Sequence, residues 1–136
     1  MPPIPETEKL ARLQRVAEVV GVYPLEAYDF VQRGLAYTVT KVYGTSNETG
    51  LGRHVSGQQL CEGLRVYAQR QWGFMARLVL ERWNITSTLD FGRIVFTMVE
   101  HQMLATTEQD TIEDFRNVYD FRKSMETEYR IASKLA

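Results

Sequence analysis

The chain has one cysteine, Cys61, in 136 residues. An internal disulfide framework is therefore excluded, and a reducing, cytoplasmic setting is expected. Histidine is almost as scarce. His54 and His101 lie far apart, and neither has a second His or Cys at metal-ligand spacing, so no metal or cofactor is expected. No apolar run approaches the roughly 18 residues that cross a bilayer. The opening Met1-Pro2-Pro3-Ile4-Pro5-Glu6 has neither a basic nor an apolar signal region, which predicts no secretory leader. The sequons at Asn47 and Asn84 then read as chance matches. Gly50, Gly52 and Gly57 have neither phosphate-loop nor dinucleotide spacing. Charge of either sign is not in excess: 16 basic residues stand against 17 acidic ones. A polycation built for nucleic acid is thereby disfavoured, although a local patch is not.

What is present is helical periodicity. Apolar residues make up 44% of the chain, enough for one domain with a real core. Residues 1–6 read as an extended leader, 7–121 as a single helical domain, and 122–136 as a polar final helix or frayed tail. Leu10, Leu13, Ala17 and Val20 share one face of a first helix that Gly21 ends. Pro24 suits the first turn of a second helix with Tyr28, Val31, Leu35, Thr38 and Val42 as its stripe. The β-branched run at its end predicts fraying or a switch to strand. Residues 44–54 read as a polar loop.

Ser56 and Gln59 form a capping box, with Val55 as a hydrophobic staple before it. Leu60, Cys61, Leu64, Tyr67, Ala68 and Trp72 continue that helix until Gly73. Met75, Leu78, Val79 and Trp83 predict a short amphipathic helix. Ser87 and Asp90 then open a longer one, striped by Phe91, Ile94, Val95, Met98, Val99 and Met103. Residues 104–121 fit either a helix or a short β-hairpin, and the hairpin gives the outline of a winged helix. The expected core includes Leu64, Trp72, Leu78, Phe91, Ile94, Val95, Met98 and Phe115.

Candidate chemistry is sparse. Cys61 falls on an apolar helix face beside Leu60 and Leu64, which predicts a packed thiol rather than a nucleophile. His54 precedes the helix cap and reads as an exposed or capping loop residue, and it is the one plausible acid–base group. Glu108, Asp110, Glu113, Asp114 and Asp120 oppose a single base, Arg116, between residues 106 and 121. They read as a solvated acidic surface, with a docking face for a basic partner as the functional alternative. Arg65, Arg70, Arg77 and Arg82, with Arg53 upstream, offer forks for phosphate or carboxylate. A wing as acidic as residues 106–121 would repel DNA, because phosphate affinity comes from neutralised phosphates and released counterions.

Several ordered blocks carry a resemblance: Asp29-Phe30-Val31 with Gly34-Leu35-Ala36-Tyr37-Thr38; Arg53 to Leu60 with Gly63 and Tyr67-Ala68; Ser87 to Gly92 with Ile94-Val95; and Glu113-Asp114-Phe115 with Val118-Tyr119-Asp120-Phe121. Together they resemble an uncharacterised small-protein family of planctomycete and verrucomicrobial bacteria, over roughly residues 10–121. The resemblance implies a bacterial cytosolic protein and assigns no activity, cofactor or site.

The expectation is a mainly α single domain of about five helices. Missing catalytic constellations and wide aromatic stripes point to a non-enzymatic protein-interaction module that binds a protein partner or itself, not a membrane. Its expected contact residues are Arg53, His54, Arg65, Arg70 and Arg77. The first alternative is a nucleic-acid binder of winged-helix outline. The second is an enzyme that uses His54.

Overall fold

A computed structural model describes residues 6–44 and 54–125. They form one mainly helical domain of five α-helices: α1 (Glu6–Val20), α2 (Leu25–Tyr43), α3 (Gly57–Trp72), α4 (Ala76–Arg82) and α5 (Thr88–Glu100). Short 3-10 turns at Gly73–Met75 and Ile112–Phe115 complete the described secondary structure, and residues 121–125 are helical again. No described helix is long and apolar enough to cross a membrane.

Helix starts and stops follow local chemistry. Glu6 and Glu8 occupy the first turn of α1, where the helix dipole favours anions. Gly21 ends it at φ +75°, its N–H bonded to Ala17 O. Pro24 stands at the cap of α2 with extended backbone rather than within the first turn. The β-branched end of α2 neither frays nor turns to strand, and the helix runs to Tyr43. Thr38 and Thr40 donate their hydroxyls to Gly34 O and Ala36 O, which seats both inside the helical ladder. At α3 the predicted box is complete: Ser56 N–H donates to Gln59 Oε1 at 2.8 Å, and Gln59 N–H to Ser56 Oγ at 3.1 Å. Such a cap contributes about 1 kcal/mol.

The core lies between α2, α3 and α5. Phe30 is its hub, with ring centroids 5.6 Å from Tyr67, 5.4 Å from Trp72, 6.0 Å from Trp83 and 6.4 Å from Phe91. A glycine on each helix lets α2 and α3 meet closely: Gly34 faces Leu64, and Gly63 faces Thr38 with no room for a Cβ. Cys61 is fully buried, as its position beside Leu60 and Leu64 implies.

Three further expectations are corrected. Leu78 is 45% exposed, and Ala76 and Leu80 are the α4 residues that turn inward. The 3-10 turn before α4 winds at three residues per turn and shifts the phase of the apolar pattern. Val42 is likewise exposed at the end of α2. Finally, residues 104–121 contain no strand, so the hairpin and the winged-helix outline fall away. Thr107 and Thr111 N–H groups are capped by Asp110 and Asp114, which curls the segment instead of extending it. Phe115 then wedges between Gly57 and Gly92, and the Thr88 hydroxyl donates to Phe115 O at 2.6 Å while accepting from Val118 N–H. Gln69 holds the following stretch by donating to Ser124 O and Met125 O.

Candidate functional site

The folding of residues 104–115 against the start of α3 creates a half-open pocket of about 450 Å³. Leu35 and Val39 of α2, Leu60 of α3, Val95 and Phe96 of α5, and Leu104 give it apolar walls. Polar groups gather along one edge: His54, Ser56, Thr107, Asp110 and Asp114. A volume in this range, mostly apolar with a few convergent polar groups, is typical of binding sites.

His54 is held from several directions. The Tyr43 hydroxyl, at the end of α2, donates to His54 O. Two residues on, Ser56 is fixed by the α3 cap. His54 Nε2 lies 2.9 Å from Asp110 Oδ1, 56 residues away in sequence. Asp110 is itself positioned by Thr107, whose N–H and hydroxyl donate to Oδ2 at 2.8 and 3.1 Å. Partial burial pushes the Asp110 carboxyl up, but the bonds from the Thr107 amide and from His54 outweigh it. They hold the group below the usual carboxylate range. An ionised Asp110 can only accept, so the proton of the pair sits on Nε2. Nδ1 makes no hydrogen bond among the described residues.

This arrangement can bind, orient and accept a proton, but neither Ser56 nor Cys61 is set beside it as a nucleophile. Ser56 Oγ is occupied by the Gln59 amide. Burial, with a lesser contribution from Glu62, pushes the Cys61 thiol up to about 12, so it stays protonated. Among the described residues no three His, Cys, Asp or Glu side chains converge as a metal site.

Among the described residues, Arg65, Arg70 and Arg77 do not join His54. Arg53 lies outside the described residues. Arg65 bonds Glu62 at 2.9 Å and Gln69 at 3.1 Å, with its side chain only 13% exposed. Arg70 donates to Tyr37 Oη and lies over the Tyr37 ring. Five positions at roughly 100° each set Arg65 and Arg70 about 140° apart on α3. Arg77 on α4 pairs with Glu81 at 2.8 Å. The guanidiniums of Arg65, Arg70 and Arg77 thus serve separate contacts within the fold rather than one basic face.

Asp110 is the candidate-site residue that periodicity does not single out, whereas the walls Leu35, Leu60 and Val95 lie on the predicted apolar stripes. The signal for Asp110 is the doubled pattern Thr107-x-x-Asp110 and Thr111-x-x-Asp114, which marks consecutive capped turns rather than a loose acidic surface. A second, shallower groove is lined by Glu8, Arg12 and Arg15 of α1 together with His101.

Neither the models of known protein families nor the curated proteins nor the solved structures contain a match to this chain.

Proposed function

We propose that the protein is a non-enzymatic interaction module that receives an apolar protrusion of a partner protein in the pocket between α2, α3, α5 and residues 104–115. One observation carries this reading. The apolar walls remain open, while the polar atoms at the edge are largely spent on holding the fold: Ser56 on the α3 cap, Thr107 on Asp110, Asp114 on Thr111. A site of this composition favours burial of apolar surface over bond making. The cytoplasmic setting and the kinship with the planctomycete and verrucomicrobial family belong to the same proposal. They rest on the buried, reduced Cys61 and on the sequence blocks quoted above.

The test fills the pocket. Ala105 is an exposed wall residue, so Ala105→Trp occludes the cavity without disturbing a helix. Affinity capture from native extract is expected to retain a protein with the wild type and to lose it with A105W, at equal far-ultraviolet circular dichroism. Identical capture by both would sink the reading.

A second reading, acid–base catalysis by His54, gains a specific observation from the Asp110 bond, because a base needs an orienting partner. His54→Gln separates the two. Lost biological function with partner capture intact favours catalysis, whereas unchanged function removes it.

A further inference from the structure

The edge of this pocket has a sign. No Lys or Arg among the described residues lines it, while Asp110 and Asp114 do. Its one basic group, His54, is already bonded to Asp110. Asp114 uses Oδ2 for the Thr111 amide and keeps Oδ1 free of any hydrogen bond among the described residues. Arg116, two positions after Asp114, is occupied by Glu113 through bonds of 2.8 and 3.2 Å. Among the described residues, an apolar socket thus sits beside a carboxylate oxygen, Asp114 Oδ1, that no Lys or Arg pairs with.

We infer that the pocket selects a protein segment in which a bulky apolar side chain is flanked, one helical turn away, by Lys or Arg. The inference rests on the reading of the pocket as a contact site and adds the chemistry of what enters it. The apolar anchor fills the space between Val39, Leu60, Phe96 and Leu104. The flanking cation meets Asp114 Oδ1 at the rim. Spacing of three or four residues puts anchor and cation on the same face of a helical partner. An acidic segment of the same shape is rejected, because like charges meet at the rim.

The probes are two fluorescein-labelled amphipathic peptides of ~16 residues, long enough to hold a helix. They share one Leu/Phe stripe and differ only in carrying Lys or Glu at the flanking positions. Fluorescence anisotropy with the full chain at low salt is expected to show the Lys peptide binding about fivefold tighter than the Glu peptide. The preference should shrink as salt screens the rim. The variant Asp114→Asn keeps the side-chain shape and should bring the two peptides to near parity. Ala105→Trp should abolish binding of both. Equal binding of the two peptides by the wild type would overturn the charge inference and leave the pocket reading standing. Binding of neither, or of both undiminished by A105W, would overturn the two together.

Discussion

Asp90 and Asp110 do the same local job in two different settings. Each accepts backbone N–H groups a turn upstream, and each also takes a hydrogen bond from a distant ring. Asp90 accepts from the Thr86 and Ser87 amides at 2.9 and 3.1 Å, from Tyr23 Oη at 2.5 Å and from Arg93 at 3.0 Å. Its side chain is 6% exposed, and Tyr23 pins it to the segment between α1 and α2. Asp110 takes the Thr107 amide and His54, with 17% of its side chain exposed and 46% of the histidine's. One carboxylate closes a junction, and the other borders an opening. The same capping chemistry therefore serves as an internal tie where a buried phenol completes it. It leaves a site where a half-exposed imidazole does.

The largest effect expected from breaking this contrast is at the closed end. Asp90→Ala strips Tyr23, Arg93 and two backbone amides of their acceptor and should cost about 3 kcal/mol. Urea denaturation would show it as a lower midpoint at unchanged slope. The acid limb carries the same information. Burial pushes the Asp90 carboxyl up, but the bonds from Tyr23, Thr86, Arg93 and Ser87 together hold it below its ordinary value. A folded-state value below the unfolded one contributes stability above about pH 4 and loses it as pH falls through the folded value. The deficit of Asp90→Asn relative to wild type should therefore narrow between pH 5 and the acid transition, by roughly the stabilisation that ionised Asp90 supplies. A deficit independent of pH would show that the ionised form is not what closes the junction.

At the open end the same truncation should matter less. Asp110→Ala leaves the Thr107 amide and His54 facing water rather than core, so about 1 kcal/mol is expected from equilibrium unfolding. A loss as large as that of Asp90→Ala would mean that the pocket edge is as rigid as the junction, and the contrast would fail.

Sequence legibility follows the same division. The Ser56–Gln59 box, the Ser87 start with Asp90 three residues on and the apolar stripe of α5 depend on neighbours three and four positions apart, and all could be read along the chain. The α4 face could not, because a 3-10 turn resets its phase and exposes Leu78. His54 was visible as the only acid–base candidate, yet its partner lies 56 residues away and was counted among solvated acids. Tyr23 and Asp90 are joined across 67 residues, equally beyond any local pattern. Pairings made by the tertiary fold decide what both aspartates do, and periodicity carries no information about them.

The smallest effect sharpens the comparison within the core itself. Tyr23 and Tyr28 have ring centroids 6.3 Å apart in edge-on contact, but their hydroxyls fare differently. Tyr23 Oη has Asp90, whereas the fully buried Tyr28 Oη has no hydrogen-bond partner among the described residues: Thr97 approaches it without reaching hydrogen-bond geometry. A buried hydroxyl left unpaired costs about 1–3 kcal/mol relative to a paired one, and removing it leaves the ring packing intact. Tyr28→Phe should therefore be neutral or stabilising by up to ~1 kcal/mol, while Tyr23→Phe should destabilise by about 1 kcal/mol because it leaves Arg93 as the only side chain bonded to Asp90 Oδ1. Thermal denaturation of the two variants side by side decides the matter. A clear loss for Tyr28→Phe would mean that Thr97 does close on the hydroxyl in solution, and both tyrosines would then be ties of the same kind.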